Sequence, residues 1–227
     1  MMVSIRTLEI IGYQQTPVPH LFFQPQAQAS THLALLLAGQ GYSSEGPVLC
    51  YLLLALLERG MDVLAVDYPR RPQLRQWPPE QVYACALADT TAAYQTIMGQ
   101  HAYRGLILVG KSLGTLVMGE LLASHTFSIP VQQAIWLTPV LSSAALREQI
   151  RLARVPSLLV VGTSDSFYRP DWLAETQQAP DVEVVVIPQA DHSLDIGLDA
   201  LRSLQAIERM TEAVCAFLDR NDHAKEV

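Results

Sequence analysis

Gly110-Lys111-Ser112-Leu113-Gly114 sets a serine between two glycines, directly after the β-rich run Gly105–Val109 and at the opening of a helical pattern. A G-x-S-x-G pentapeptide in a strand-turn-helix setting reverses the chain sharply, and its glycines remove Cβ atoms that would collide with neighbouring backbone. The hydroxyl is left projecting at the positive end of the next helix, where developing negative charge is favoured. That is a setting for a nucleophile. The same residues would also serve as a glycine-rich helix start capped by Ser112.

Two further turns supply what such a serine needs. Gly162-Thr163-Ser164-Asp165 follows the run Ser157–Val161, and Ala190-Asp191-His192-Ser193-Leu194 follows Glu183–Ile187. A histidine can take the hydroxyl proton, and an acid can hold that imidazole in one tautomer and stabilise the imidazolium. Asp165 is equally suited to an Asx-turn or a helix cap. The chain order is Ser112, Asp165, His192, and serine hydrolases on other folds order these residues differently. Three signals at successive strand ends point together to acyl transfer, with Ser112 as nucleophile, His192 as base and Asp165 as its orienting acid.

Acyl transfer also needs two backbone N–H groups aimed at a tetrahedral oxyanion. Leu113, the residue after the nucleophile, is one expected donor. The early turn Gly39-Gln40-Gly41-Tyr42, after the run His32–Leu37, offers the other, at Gln40. A plain turn would use the same glycines for their freedom at positive φ.

The elements that must position these turns alternate along the chain. Val3–Ile11 and His20–Phe23 read as an opening strand pair without a helix between them, hence antiparallel. His32–Leu37 is a continuous apolar run of the kind covered on both faces, and a helix follows from about Pro47. Asp62–Val66 leads to a helix over Pro79–Met98, and Gly105–Val109 to one over Ser112–Ser124. Val131–Leu137 precedes a helix near Ser142–Arg151, and Ser157–Val161 one starting near Pro170. Glu183–Ile187 is the last strand and Gly197–Leu218 the last helix. This alternation predicts an α/β fold with a mostly parallel eight-stranded sheet and helices on both faces. Ligands of such sheets bind outside the carboxyl ends of the strands, where these turns lie.

At 227 residues the chain suits one domain over 1–227, with 219–227 read as a polar and possibly flexible tail. Half of the residues are hydrophobic and 16% are charged, enough for a large core. Mean hydropathy is positive, yet the longest apolar runs, Leu33–Ala38 and Pro47–Leu57, are too short to span a membrane. The first residues lack the pattern of a signal peptide, so a cytoplasmic location and no membrane partner are expected. A net charge of −7 disfavours a nucleic-acid partner. Cys50, Cys85 and Cys215 are widely spaced in apolar surroundings, which gives neither a metal-ligand pair nor a disulfide framework. They read as small core residues.

With these residues in hand, the chain resembles the α/β-hydrolase superfamily over essentially its whole length, from the opening strands to the final helix. Within it, the chain is similar to small, lidless dienelactone-hydrolase-like and carboxylesterase-like members. The matching stretches are LLLAGQGYSS, VLAVDYP, LVGKSLGT, LLVVGTSDSFY and IPQADHSLD. The resemblance implies a serine hydrolase without metal or organic cofactor. Two departures stand out: Ala38-Gly39 replaces the His-Gly that opens the oxyanion loop in many relatives, and Ser112 occupies the position of the dienelactone hydrolase cysteine.

About twenty residues separate Val131–Leu137 from Ser157–Val161, too few for a cap domain, so an open site is expected. A short ester or thioester, or an ester on a larger exposed molecule, suits it better than a lipid. Arg70, Arg71 and Arg75 in the loop YPRRPQLRQWPP would suit an anionic group, with Trp77 as a stacking surface, or form a solvated proline-rich loop. Lys111 would attract an anion or pair with a surface acid. Tyr42, Trp136, Phe167 and Tyr168 sit at strand ends as pocket walls or as ordinary packing. The expected partner is a small neutral or anionic ester or thioester, and self-association is unspecified. An acyltransferase or lyase on the same triad, or a binding protein on a hydrolase fold, are the alternatives.

Overall fold

The computed structural model describes residues 2–26 and 29–222. Eight strands form one sheet in the order β1-β2-β4-β3-β5-β6-β7-β8. They are β1 (Val3–Arg6), β2 (His20–Pro25), β3 (His32–Leu37), β4 (Asp62–Val66), β5 (Gly105–Lys111), β6 (Val131–Leu137), β7 (Ser157–Gly162) and β8 (Val182–Ile187). β2 is antiparallel to both β1 and β4, and every other pairing is parallel. The helices are α1 (Pro47–Glu58), α2 (Pro79–Gln100), α3 (Leu113–Ala123), α4 (Ala144–Leu152), α5 (Pro170–Thr176) and α6 (Ala200–Asp222).

The strand order decides where a ligand can sit. From β3 the chain crosses through α1 to β4 on one side, then through α2 back past β3 to β5. Right-handed crossovers in opposite directions place their helices on opposite faces. α1 therefore shares a face with α6, which it contacts, while α2, α3, α4 and α5 pack in succession on the other. The reversal opens a crevice between the carboxyl ends of β3 and β5, the ligand position of open α/β sheets. Only α4 lies between β6 and β7, so no cap domain stands over it.

The core lies against the central strands. β3 and β4 are buried on both faces, with Leu33, Leu35, Leu36, Val63 and Leu64 fully buried. Such continuous apolar runs satisfy their backbone in the sheet and their side chains under both helix layers. Cys85 is buried, and Cys50 and Cys215 are half-buried.

Two readings of the sequence are corrected. Val3–Ile11 is not one strand: pairing with β2 stops at Arg6, and Ile11 forms only an isolated bridge to Pro17. In between, the Leu8 N–H donates to the His20 ring instead of a strand neighbour. The polar stretch from Asp219 is not all tail, because α6 runs on to Asp222. Asp219 is held there by Arg59 at 2.7 Å. Residues 223–227 lie outside the described residues.

Candidate active site

Ser112 stands between β5 and α3 with φ 52° and ψ −114°, a conformation that L-residues adopt only under constraint. The constraint is the packing of its glycines. A Cβ on Gly110 would stand 2.8 Å from the Gly114 backbone, and one on Gly114 would stand 2.3 Å from the Leu37 carbonyl oxygen. α3 is thus pressed onto the ends of β3 and β5, and the serine is pushed outward.

The other two turns converge on it. His192 Nε2 lies 2.8 Å from Ser112 Oγ, and Nδ1 lies 2.7 Å from Asp165 Oδ2. The Asp165 carboxylate is almost fully buried, and its second oxygen accepts the Phe167 N–H at 2.9 Å. Phe167 also packs edge-on to the imidazole, with ring centroids 5.0 Å apart. The histidine loop is braced by Asp191 Oδ1, which accepts the N–H groups of Ser193 and Asp195. A donor-acceptor chain from carboxylate through imidazole to hydroxyl is the arrangement that can move a proton off a serine.

The loop after β3 lies against this centre. A Cβ on Gly39 would be 3.3 Å from Ser112 Cβ. Gln40 is exposed, and neither its N–H nor that of Leu113, the first residue of α3, has a hydrogen-bond partner among the described residues. Ala38, where relatives carry histidine, is buried and donates its N–H to Val66 O. The loop is fixed by a residue that the sequence reading passed over. Asp67, at the end of β4 and fully buried, accepts the Ser44 N–H at 3.0 Å and the Ser44 hydroxyl at 2.9 Å. Its signal was an aspartate closing the apolar run VLAVD, where a buried acid must find donors.

The expected substrate contacts fare differently. Lys111 is 1% exposed and turned inward, so it presents no charge to a ligand. Its Nζ donates to Thr138 Oγ1 at 2.9 Å and to the His192 carbonyl at 2.7 Å, and lies 4.6 Å from the Tyr42 ring centroid. Burial lowers its pKa to about 8, although Asp165, Asp191 and Asp195 pull the other way. Trp136 is completely buried and lines no open surface. Arg70 is bound to Asp67 and Glu45, while Arg71 is buried against Asp89. Neither guanidinium is held out for an anion. Arg75 is exposed, and Trp77 packs edge-on to Tyr13. Tyr168 is half-buried on the Asp165 turn, donating its N–H to the Asp165 carbonyl.

Tyr42 does border open space. A solvent-open groove of about 500 Å³ lies beside the histidine loop, lined by Tyr42, Pro47, Ser193, Leu198, Leu204 and Ile207. The Tyr42 hydroxyl accepts the Val48 N–H at 3.0 Å and ties the ring to the start of α1. Among the described residues no group of three or more His, Cys, Asp or Glu side chains is placed to hold a metal ion, and no helix is long and apolar enough to cross a membrane.

Fold and site together define an α/β-hydrolase. The family described as "Alpha/beta hydrolase domain" matches residues 31–219, and the chain belongs to it. No curated protein matches the chain. Among solved structures it is similar to the esterase domain of a Rhodothermus marinus protein, at 18% identity over 96% of this chain and 99% of that one, with a TM-score of 0.70. It is similar to Est1E of Butyrivibrio proteoclasticus, solved with ferulic acid, at 15% identity over 94% and 99% (TM-score 0.71). A Klebsiella pneumoniae protein, provisionally described as a dienelactone hydrolase, is similar at 18% identity over 96% and 98% (TM-score 0.72). At such identities these likenesses establish the fold.

Proposed function

We propose that the chain is a serine hydrolase that cleaves a carboxylic ester or thioester through an acyl-enzyme on Ser112. The observation that carries this reading is the unbroken chain Asp165–His192–Ser112, with contacts of 2.7 and 2.8 Å from three separate strand ends. The esterases among its structural neighbours support the same class of reaction.

Ser112 Oγ attacks the carbonyl carbon while its proton passes to His192 Nε2. Asp165 accepts the Nδ1–H and stabilises the imidazolium. The oxyanion is held by the N–H groups of Gln40 and Leu113. Collapse of the tetrahedral intermediate breaks the bond to the alcohol or thiol, which takes the proton from Nε2. Water then gives a proton to the same nitrogen, its oxygen adds to the acyl carbon, and Ser112 leaves with the proton returned. No substrate charge belongs to this reading, because Lys111 is buried and Arg70 is held by Asp67 and Glu45.

Intact-mass labelling with a fluorophosphonate tests the reading. Wild type takes up one adduct, and folded Ser112→Ala takes up none. A folded wild type that is not labelled overturns it.

A further inference from the structure

Lys111 is one of only two lysines in the chain, the other being Lys225. It is buried within one residue of the nucleophile. Burying an ammonium is costly unless it is paired, and no carboxylate lies within ion-pair distance of its Nζ among the described residues. Its partners are a hydroxyl, a carbonyl and an aromatic face: Thr138 Oγ1, His192 O and the Tyr42 ring. These come from the ends of β6, β8 and β3. One cation thus ties three of the loops that surround Ser112, and it holds the backbone of the histidine itself.

We propose that Lys111 is a positioning residue of the triad: its ammonium holds the His192 carbonyl so that the imidazole stays between Asp165 and Ser112. The inference rests on the serine-hydrolase reading for its consequence in rate. Three carboxylates act on its charge, Asp165 from the β7 turn and Asp191 and Asp195 from the loop after β8. The Tyr42 phenol has its pKa raised by burial and remains neutral below its ordinary value of 10.0. Because the clamp is on a backbone carbonyl, it fixes the origin of the side chain without competing for either ring nitrogen.

Two substitutions separate the clamp from the charge. Lys111→Met removes both, and Lys111→Gln removes the charge but keeps a donor. The downfield Nδ1–H proton of His192, which reports its hydrogen bond to Asp165, is followed by NMR and assigned by its loss in His192→Asn, alongside the rate of fluorophosphonate labelling. That signal is lost in Lys111→Met and retained in Lys111→Gln. The plateau rate falls about tenfold in Lys111→Met and less in Lys111→Gln. An unchanged Nδ1–H signal or an unchanged plateau rate in folded Lys111→Met overturns the clamp. Absence of labelling in wild type would instead sink the hydrolase reading, while the Nδ1–H signal, which needs no substrate, still decides whether Lys111 holds the imidazole on Asp165.

Discussion

Gly162 packs so closely on Ala190 that a Cβ at position 162 would stand 2.2 Å from the Ala190 carbonyl oxygen. Gly162 closes β7 three residues before Asp165, and Ala190 lies two residues before His192. The same carbonyl accepts the Ser164 N–H at 2.9 Å, and the Thr163 N–H bonds to Ile187 O at 3.1 Å. Asp165 and His192 therefore ride on two turns that are bonded to each other backbone to backbone.

Gly162→Ala should separate those turns. The added methyl cannot coexist with the carbonyl, so the histidine loop must move, at a cost of roughly 1–3 kcal/mol in stability. Because the imidazole moves with the loop, serine labelling should slow by about a hundredfold or more. Urea unfolding and the labelling rate measure the two effects. A variant as stable and as reactive as wild type would mean that the contact does not set the geometry.

A second prediction concerns the backbone of Ser112 itself. Ser112 is held at φ 52° and ψ −114°, which costs about 1–3 kcal/mol for a residue with a Cβ. Ser112→Ala removes the hydroxyl and retains that cost, whereas Ser112→Gly removes both. Both variants should fail to label. The glycine variant should unfold about 1 kcal/mol later than the alanine variant, after the entropy of an added glycine is set against the relief. Equal stabilities in urea would show an unstrained turn.

Much of this arrangement is legible in the sequence. His32–Leu37 and Asp62–Val66 were bounded correctly because strands buried on both faces read as unbroken apolar runs between turn residues. The convergence of Ser112, Asp165 and His192 was legible because each follows such a run, and a parallel sheet gathers those ends at one edge. β5 was read two residues short, since Gly110 and Lys111 look like punctuation although they still pair with Trp136 and Leu137 of β6. The inward course of Lys111 was not legible. A lysine ordinarily keeps its ammonium in water, and nothing local reports that Thr138 and the His192 carbonyl await it from 27 and 81 residues away. Arg71 was misread for the same reason, its partner Asp89 lying on α2.

That buried pair gives a third prediction. Arg71 meets Asp89 through Nε at 3.0 Å and Nη2 at 2.8 Å, and Asp89 also accepts the Tyr13 N–H. Asp89→Ala leaves a buried guanidinium without its counter-ion, which should cost about 3–5 kcal/mol. Adding Arg71→Met should recover part of that loss, because the stranded charge is then gone. Chemical denaturation of the two variants is the check. A single variant within about 1 kcal/mol of wild type would show the pair to be dispensable.

Lys111 leads to a prediction in stability as well as rate. Burial lowers its pKa from 10.5 to about 8 in the native state. Below pH 8 folded and unfolded chains both carry the proton, and the native state bears the full cost of burying it. Between pH 8 and 10.5 the unfolded chain binds more protons than the native one, so native stability rises with pH. Above 10.5 the cost is gone. The shift of about 2.5 pH units corresponds to at most about 3 kcal/mol. Lys111→Met has no such group, so wild-type stability should gain on the variant by up to that amount between pH 8 and 10.5. Comparing the two cancels the tyrosines that titrate in the same range. Urea midpoints that run parallel across this window would place the ammonium in a better-solvated setting than its 1% exposure indicates. A widening gap would mean that the protein carries, beside Ser112, a charge that destabilises the fold at neutral pH, as expected of a group kept for its hold on the His192 loop.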